Sequence, residues 1–290
     1  MVSPPGSHIS HEQRRGHMTD RTNKDLLTHA SFPRASRYHP EWLTNSVSGG
    51  ANSLWMAEWL SDVVDFRPGM RVLDLGCGRG ASSIFLAREF GVQVWAADLW
   101  FGADDRQQRV REAGLDDQVF PVHCDARALP FARDFFDAVV SIDSYVYYGT
   151  DDLYLSYLLR LLKPGGTLGI AGAGLVQEID GAVPEHLRNW WEPNLACLHS
   201  AQWWRRHWER TGLVEVTSAD TMPDGWQRWL DWQHAVAPHN TPEIEALKAD
   251  EGRYLGYVRA TARRGDHPLD DPITVIPTEY VSVPMLREAG

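Results

Sequence analysis

Apolar residues along the middle of the chain switch between two spacings. Val72 to Leu75, Val92 to Ala97, Val119 to His123 and Phe135 to Ile142 are short, largely apolar runs that read as strands. Between them, Ala81 to Phe90, Asp104 to Ala113 and Leu153 to Leu162 carry helical spacing. Ser82 and Ser83 are placed to satisfy the first free N–H groups of their helix. Lys163-Pro164-Gly165-Gly166 stops the third helix, and Thr167 to Ala171 follows as a strand. Upstream, Leu54, Trp55, Trp59, Leu60 and Val63 mark a helix between Asn52 and Val64, and Pro68-Gly69 turns the chain into the first strand. Strand and helix in strict alternation predict parallel strands with right-handed crossovers, an α/β doubly wound sheet. The nearly continuous apolar strands predict burial on both faces.

The pattern changes after Gly172. Ala201 to Arg210 is helical and rich in tryptophan (Trp203, Trp204, Trp208), Leu213 to Thr217 reads as a strand, and Asp224 to Ala235 is helical with Trp226, Trp229 and Trp232. Tryptophans at helical spacing are expected mainly in the core. Glu243 to Asp250 reads as a charged helix and Tyr254 to Ala262 as the last strand. Residues 1–20 read as a leader or disordered arm, with a natural start at Met18, and residues 266–290 as a tail with one β-like run, Ile273 to Ile276. The body is then 21–265, in which 174–212 and 220–253 are read as insertions that cap a substrate.

A net charge of −11 argues against nucleic acid or anionic membrane as partners. No apolar run reaches membrane-spanning length. Three scattered cysteines make neither a disulfide framework nor a metal spacing, which points to a reduced, cytoplasmic protein; a monomer or homodimer is expected. The histidines complete no metal site; His199 and His207 are alternatives for a general base.

The chemistry concentrates in Val72-Leu73-Asp74-Leu75-Gly76-Cys77-Gly78-Arg79-Gly80, a strand entering a glycine turn and a helix. Ligands bind in such a crevice at the carboxyl ends of the strands. Asp98, eighteen residues past Gly80, ends the second strand, where a carboxylate can hold both ribose hydroxyls. The turn reads Gly-x-Gly-x-Gly, whereas dinucleotide folds use Gly-x-Gly-x-x-Gly. Asp74 before the first glycine favours a cationic sulfonium or amino group over a pyrophosphate, and Asp125 at the end of the third strand suits the amino group of adenine.

With these residues the chain resembles a class I S-adenosylmethionine-dependent methyltransferase, of a bacterial small-molecule branch. The resemblance rests on Val72 to Gly80, Val94 to Asp98, Asp125-Ala126, Phe136 to Ser141 and Leu161 to Gly166, in that order. It implies a Rossmann-like sheet of seven mostly parallel strands, order 3-2-1-4-5-7-6 with the last strand antiparallel, and a helical, tryptophan-rich cap. It implies S-adenosyl-L-methionine as cofactor. Gly76, Cys77 and Gly78 would touch it through backbone, Asp98 would hold the ribose, and Leu99 would pack on adenine. Asp125 and Ala126 would meet the adenine edge, and Ser141 and Ile142 would face the amino-acid part.

Methyl transfer needs alignment and exclusion of water, and a base only where the nucleophile carries a proton. Asp143 is the candidate to orient or deprotonate the acceptor, with Tyr148 beside it. Tyr145 and Tyr147, and Tyr38 from an N-terminal lid, are candidates to line the acceptor pocket. An aromatic pocket suits an apolar acceptor and equally an amine held by cation–π contact; the pattern leaves both open. A nicotinamide-dependent oxidoreductase and a non-catalytic cofactor-binding protein are the competing readings.

Overall fold

The computed structural model describes residues 22–46 and 50–266, together with Leu269, Pro284 and Leu286. The expected leader, 1–20, and nearly all of the expected tail, with Ile273 to Ile276, lie outside the described residues. In chain order the elements are α1 (Asn23–Leu27), α2 (Pro40–Thr44), α3 (Ser53–Ser61), β1 (Arg71–Leu75), α4 (Ala81–Phe90), β2 (Gln93–Asp98), α5 (Ala103–Glu112) and β3 (Val119–His123). Then come β4 (Phe136–Ile142), α6 (Tyr154–Leu159), β5 (Leu162–Leu175), α7 (Ala201–Glu209), β6 (Val214–Thr221), α8 (Gly225–Val236), α9 (Thr241–Asp250) and β7 (Leu255–Arg264).

The strands form one sheet in the order β3-β2-β1-β4-β5-β7-β6. β1 to β5 run parallel, and β7 is antiparallel to both β5 and β6. The period of two along each strand sends side chains to opposite faces. Val72, Val94 and Val140 join a core roofed by α3, α4, α8 and α9, whereas Leu73, Leu75, Val139 and Ile170 join a second core under α6 and α7. Both faces are therefore covered, as the apolar strands required. The strand order reverses between β1 and β4, so the crevice opens above Leu75 and Ile142.

Two local expectations are corrected. Leu153 to Leu162 is a helix only over Tyr154–Leu159, and β5 begins at Leu162, before the glycine pair. The reason is pairing: the Phe136 N–H donates to the Leu161 carbonyl at 3.0 Å, and the register then slips between Phe136 and Ala138 to absorb Lys163 to Gly166. Ser82 and Ser83 do not cap α4. Their hydroxyls donate to the Asp74 carboxylate at 2.6 and 2.7 Å, because Asp74 is fully buried and needs donors, while Gly80 caps the helix without a side chain.

The tryptophan-rich helices mostly feed the cores. Trp204 and Trp208 are fully buried one turn apart on α7, against β6 and β7. Trp203, on the flank, stacks on His199 at 3.7 Å and His207 at 4.5 Å between ring centroids. On α8, Trp232 is fully buried and its Nε1–H donates to the Gly50 carbonyl at 2.6 Å, which ties the N-terminal segment to this helix.

Candidate active site

A cavity of about 250 Å³ opens at the carboxyl ends of β1 to β4. Gly76, Gly78 and Gly80 all take positive φ, at 76°, 56° and 87°. A Cβ on Gly76 would lie 1.9 Å from Ser144 Oγ, so this turn is closed to any side chain as well as left-handed. The Gly76 and Cys77 N–H groups donate to the Ala97 carbonyl at 2.8 and 3.2 Å, which pins the turn to β2.

Asp98 crowns β2. Its Oδ2 accepts the Gly78 N–H at 2.8 Å, and its Oδ1 accepts those of Trp100 and Phe101 at 2.8 and 3.1 Å. Arg106, buried on α5, stands 4.0 Å from Asp98 and donates to the Val122 carbonyl at 2.8 Å. The sheet edge and the carboxylate are thus fixed as one unit. Asp125, past β3, accepts the Arg127 N–H on Oδ1 at 2.8 Å, and the Ala126 carbonyl accepts the Tyr154 hydroxyl at 2.9 Å.

Asp143 follows β4 at φ 53°, a conformation that costs a non-glycine residue about 1 kcal/mol or more. It is held there by its own carboxylate: Oδ2 accepts the Ala51 N–H at 2.6 Å and Oδ1 accepts that of Ala173 at 2.9 Å. Burial raises its pKa, and those two N–H groups oppose the shift. Tyr148 bonds through its hydroxyl to Ser141 Oγ at 3.1 Å, to Ser144 Oγ at 3.2 Å and to the Leu75 carbonyl at 3.3 Å. Its burial pushes the phenol up, so at neutral pH it is a donor and not a base.

The fold brings Gly76, Gly78, Asp98, Leu99, Asp125, Ala126, Asp143, Tyr147 and Tyr148 onto this one cavity. Cys77 and Ile142 line a smaller adjoining one. Asp74 lies beneath the turn, where burial pushes its carboxyl up to about 6 and its Oδ1 has no hydrogen-bond partner among the described residues. Ser141 is buried behind the cavity with its hydroxyl on the Leu75 carbonyl at 2.7 Å. Tyr145 is buried among Tyr148, Tyr154, Trp204 and Trp208. Tyr38 lies in another groove and donates to Glu89 at 3.1 Å. His199 pairs with Glu178 at 3.0 Å, and His207 with the Gly149 carbonyl at 3.2 Å. Trp100 and Ser144 line the cavity without having been singled out. Trp100 is 76% exposed, a large ring left in water at a strand tip, and its place right after Asp98 was the available signal.

Glycine backbone beside two strand-tip carboxylates suits a cationic nucleoside better than a diphosphate. The fold and this cradle are those that the resemblance to class I S-adenosylmethionine-dependent methyltransferases implies. Residues 72–166 match the family described as methyltransferase domain. It is similar to the methyltransferase GfsG of Streptomyces halstedii, 36% identical over 45% of this chain and 48% of that protein. It is also similar to the 2-methyl-6-phytyl-1,4-hydroquinone methyltransferase of Synechocystis, 33% identical over 63% of this chain and 59% of that protein. The chain thus spans about half the length of these curated relatives. Among solved structures, the geranyl diphosphate C-methyltransferase of Streptomyces coelicolor A3(2) shares the fold, with a TM-score of 0.61 at 22% identity over 82% of this chain and 85% of that one. The cofactor of the class is S-adenosylmethionine, and the donor set here fits it: Asp98 for a diol, Asp125 for an amine, glycine backbone between them.

Proposed function

We propose that the protein transfers a methyl group from S-adenosylmethionine to a small organic acceptor by in-line displacement. The observation that carries this reading is the cavity of about 250 Å³ that holds Asp98, Asp125 and Asp143 around one glycine turn. When bound, the cofactor supplies a methyl group on a positively charged sulfur, already activated for attack. The residues of the chain then have to bind, align and exclude water. Asp98 would take the ribose hydroxyls, since carboxylate oxygens keep lone pairs beyond the N–H groups they already accept. Leu99, 51% exposed, and Trp100 offer apolar surface to the purine, and Asp125 and Ala126 its polar edge.

Asp143 is proposed to orient the acceptor or take its proton, and Tyr148 to hold the Ser141–Ser144 wall of the pocket by donating its hydroxyl hydrogen. Tyr147, 53% exposed with its phenol pushed up to about 12, would present a neutral face to the acceptor. Residues 21–265 are proposed as one methyltransferase domain, with 174–212 and 220–253 covering the acceptor. The acidic balance favours a small molecule over nucleic acid. Among the described residues no helix is long and apolar enough to cross a membrane. A cytoplasmic location and a monomer or homodimer complete the proposal, the location supported by Cys77, Cys124 and Cys197 being free thiols.

The test is calorimetry of the purified chain with S-adenosylmethionine, S-adenosylhomocysteine and NAD, followed by a panel of small acceptors monitored by S-adenosylhomocysteine release. Binding of the first two and not NAD, with release driven by at least one acceptor, is expected. Heat from NAD alone, or from none of the three, overturns the reading.

A further inference from the structure

Asp143 and Tyr147 line the cavity, and the strands behind them bring a third residue to the same edge. Asp143 Oδ1 accepts the Ala173 N–H at 2.9 Å, and Ala173 on β5 is paired in register with Tyr257 on β7. The Tyr257 ring stacks on Trp229 of α8, with 5.7 Å between centroids and 16° between planes. The Trp229 Nε1–H donates to Glu243 of α9 at 2.7 Å, and the Asn240 amide donates to its other oxygen at 2.6 Å. Trp190, from the segment between β5 and α7, meets the Trp229 ring edge-on at 5.9 Å. Two carboxylates far apart in sequence are thereby held along one aromatic wall.

Their charges reach each other. Burial raises the Glu243 carboxyl, the Trp229 and Asn240 N–H groups oppose the rise, and the charge of Asp143 adds to it. The Tyr147 phenol is raised first by burial and then by Asp143, Cys197 and Glu243, so all three lie close to it. Both carboxylates accept neutral N–H groups, and neither has an ion pair among the described residues. Arg228, whose charge reaches Tyr257, is paired with Asp231 at 3.1 Å. Tyr257 is fully buried, and its hydroxyl has no hydrogen-bond partner among the described residues; the Asn52 N–H faces it without completing a bond. A buried hydroxyl normally finds a partner. A neutral acceptor would leave two like charges uncompensated beside aromatic rings, whereas a cation would offset both and lie well against the rings.

We propose that the acceptor is a small basic amine, bound in its ammonium form against Tyr147 between Asp143 and Glu243, with the Tyr257 oxygen accepting one of its N–H groups. The inference rests on the function proposed above and names its substrate class. The ammonium gives one proton to the Asp143 carboxylate, and the freed nitrogen lone pair attacks the methyl carbon. The C–N bond forms as the C–S bond breaks, and the electron pair of the broken bond stays on sulfur. The methylated amine then carries the positive charge that sulfur loses. Asp143 acts here as the base, and Glu243 binds.

The experiment measures S-adenosylhomocysteine release by the full chain with a panel of aliphatic and arylalkyl amines, against alcohols and thiols of the same carbon skeletons. The same panel is titrated calorimetrically into chain saturated with S-adenosylhomocysteine, where recognition is read without turnover. At least one amine is expected to turn over and to bind about tenfold or more tightly than its matched alcohol. Glu243→Gln should raise KM for that amine about tenfold while leaving kcat within about twofold and the Kd for S-adenosylhomocysteine unchanged. Glu243→Asp should recover part of the loss, and Tyr257→Phe should raise KM several-fold; each variant is checked for an unchanged melting profile. Release driven by alcohols or thiols and by no amine overturns the amine assignment and leaves methyl transfer intact. So does an unchanged KM in both Glu243→Gln and Tyr257→Phe, or a Glu243→Gln that weakens S-adenosylhomocysteine as much as the amine. If nothing in the panel drives release and S-adenosylhomocysteine gives no heat, the proposed function fails and the amine assignment with it; heat from S-adenosylhomocysteine with no release and no amine bound overturns the amine assignment alone.

Discussion

Replacing Asp74 by asparagine tests whether the acid under the glycine turn is a buried, partly protonated carboxyl. The side chain is fully buried, and burial raises it from 3.8 to about 6 against the two serine hydroxyls that stabilise its charged form. That interval corresponds to about 3 kcal/mol. The native carboxyl keeps its proton up to about pH 6, whereas the unfolded one loses it near pH 4. Over that window the unfolded state binds fewer protons, so this group makes stability fall as pH rises from about 4 to about 6, and the loss is constant above. An amide cannot ionise. Its oxygen keeps the Ser82 and Ser83 bonds, and its nitrogen replaces Oδ1, which has no partner among the described residues. Urea unfolding from pH 4 to 7.5 should therefore show Asp74→Asn gaining on wild type by about 3 kcal/mol between pH 4 and 6.5. A difference between the two proteins that stays flat across that range refutes the argument.

Two further substitutions separate binding from chemistry. Asp98→Asn removes the charge that would hold the ribose, at about 2–3 kcal/mol for hydrogen bonds to a charged group, so the calorimetric Kd for S-adenosylhomocysteine should rise roughly 30- to 150-fold; a change under about threefold sinks the ribose role. Asp143→Asn keeps a residue type that tolerates positive φ but turns an amide donor toward either the Ala51 or the Ala173 N–H. It should cost about 1–3 kcal/mol in urea unfolding and reduce turnover more than cofactor affinity; unchanged turnover leaves Asp143 a purely structural strut.

Local periodicity told most about the elements. Val119 to His123 and Asp224 to Ala235 appear as a strand and a helix within a residue of the expected bounds, because the spacing of apolar side chains is set by the element itself. The cavity was legible for a related reason. A glycine turn and acids at strand tips are arranged by single βα units, so Gly76, Asp98 and Asp125 could be placed before the sheet was seen. The strand order did not come from spacing; it came from resemblance, and the sheet agrees with it.

What the chain alone determined, then, is which segments are strands and helices and which turn carries the chemistry. The tertiary structure decided which polar atoms near that turn are spent and which are free. Oδ2 of Asp74 is taken by Ser82 and Ser83, Tyr145 by an aromatic core, and Tyr38 by Glu89. Ser53, in contrast, arrives beside the turn with a hydroxyl that has no partner among the described residues. These outcomes depend on approaches between residues far apart in sequence, such as Ala51 to Asp143 at 2.6 Å, and no local pattern of apolar and polar positions encodes the distance between two distant parts of a chain.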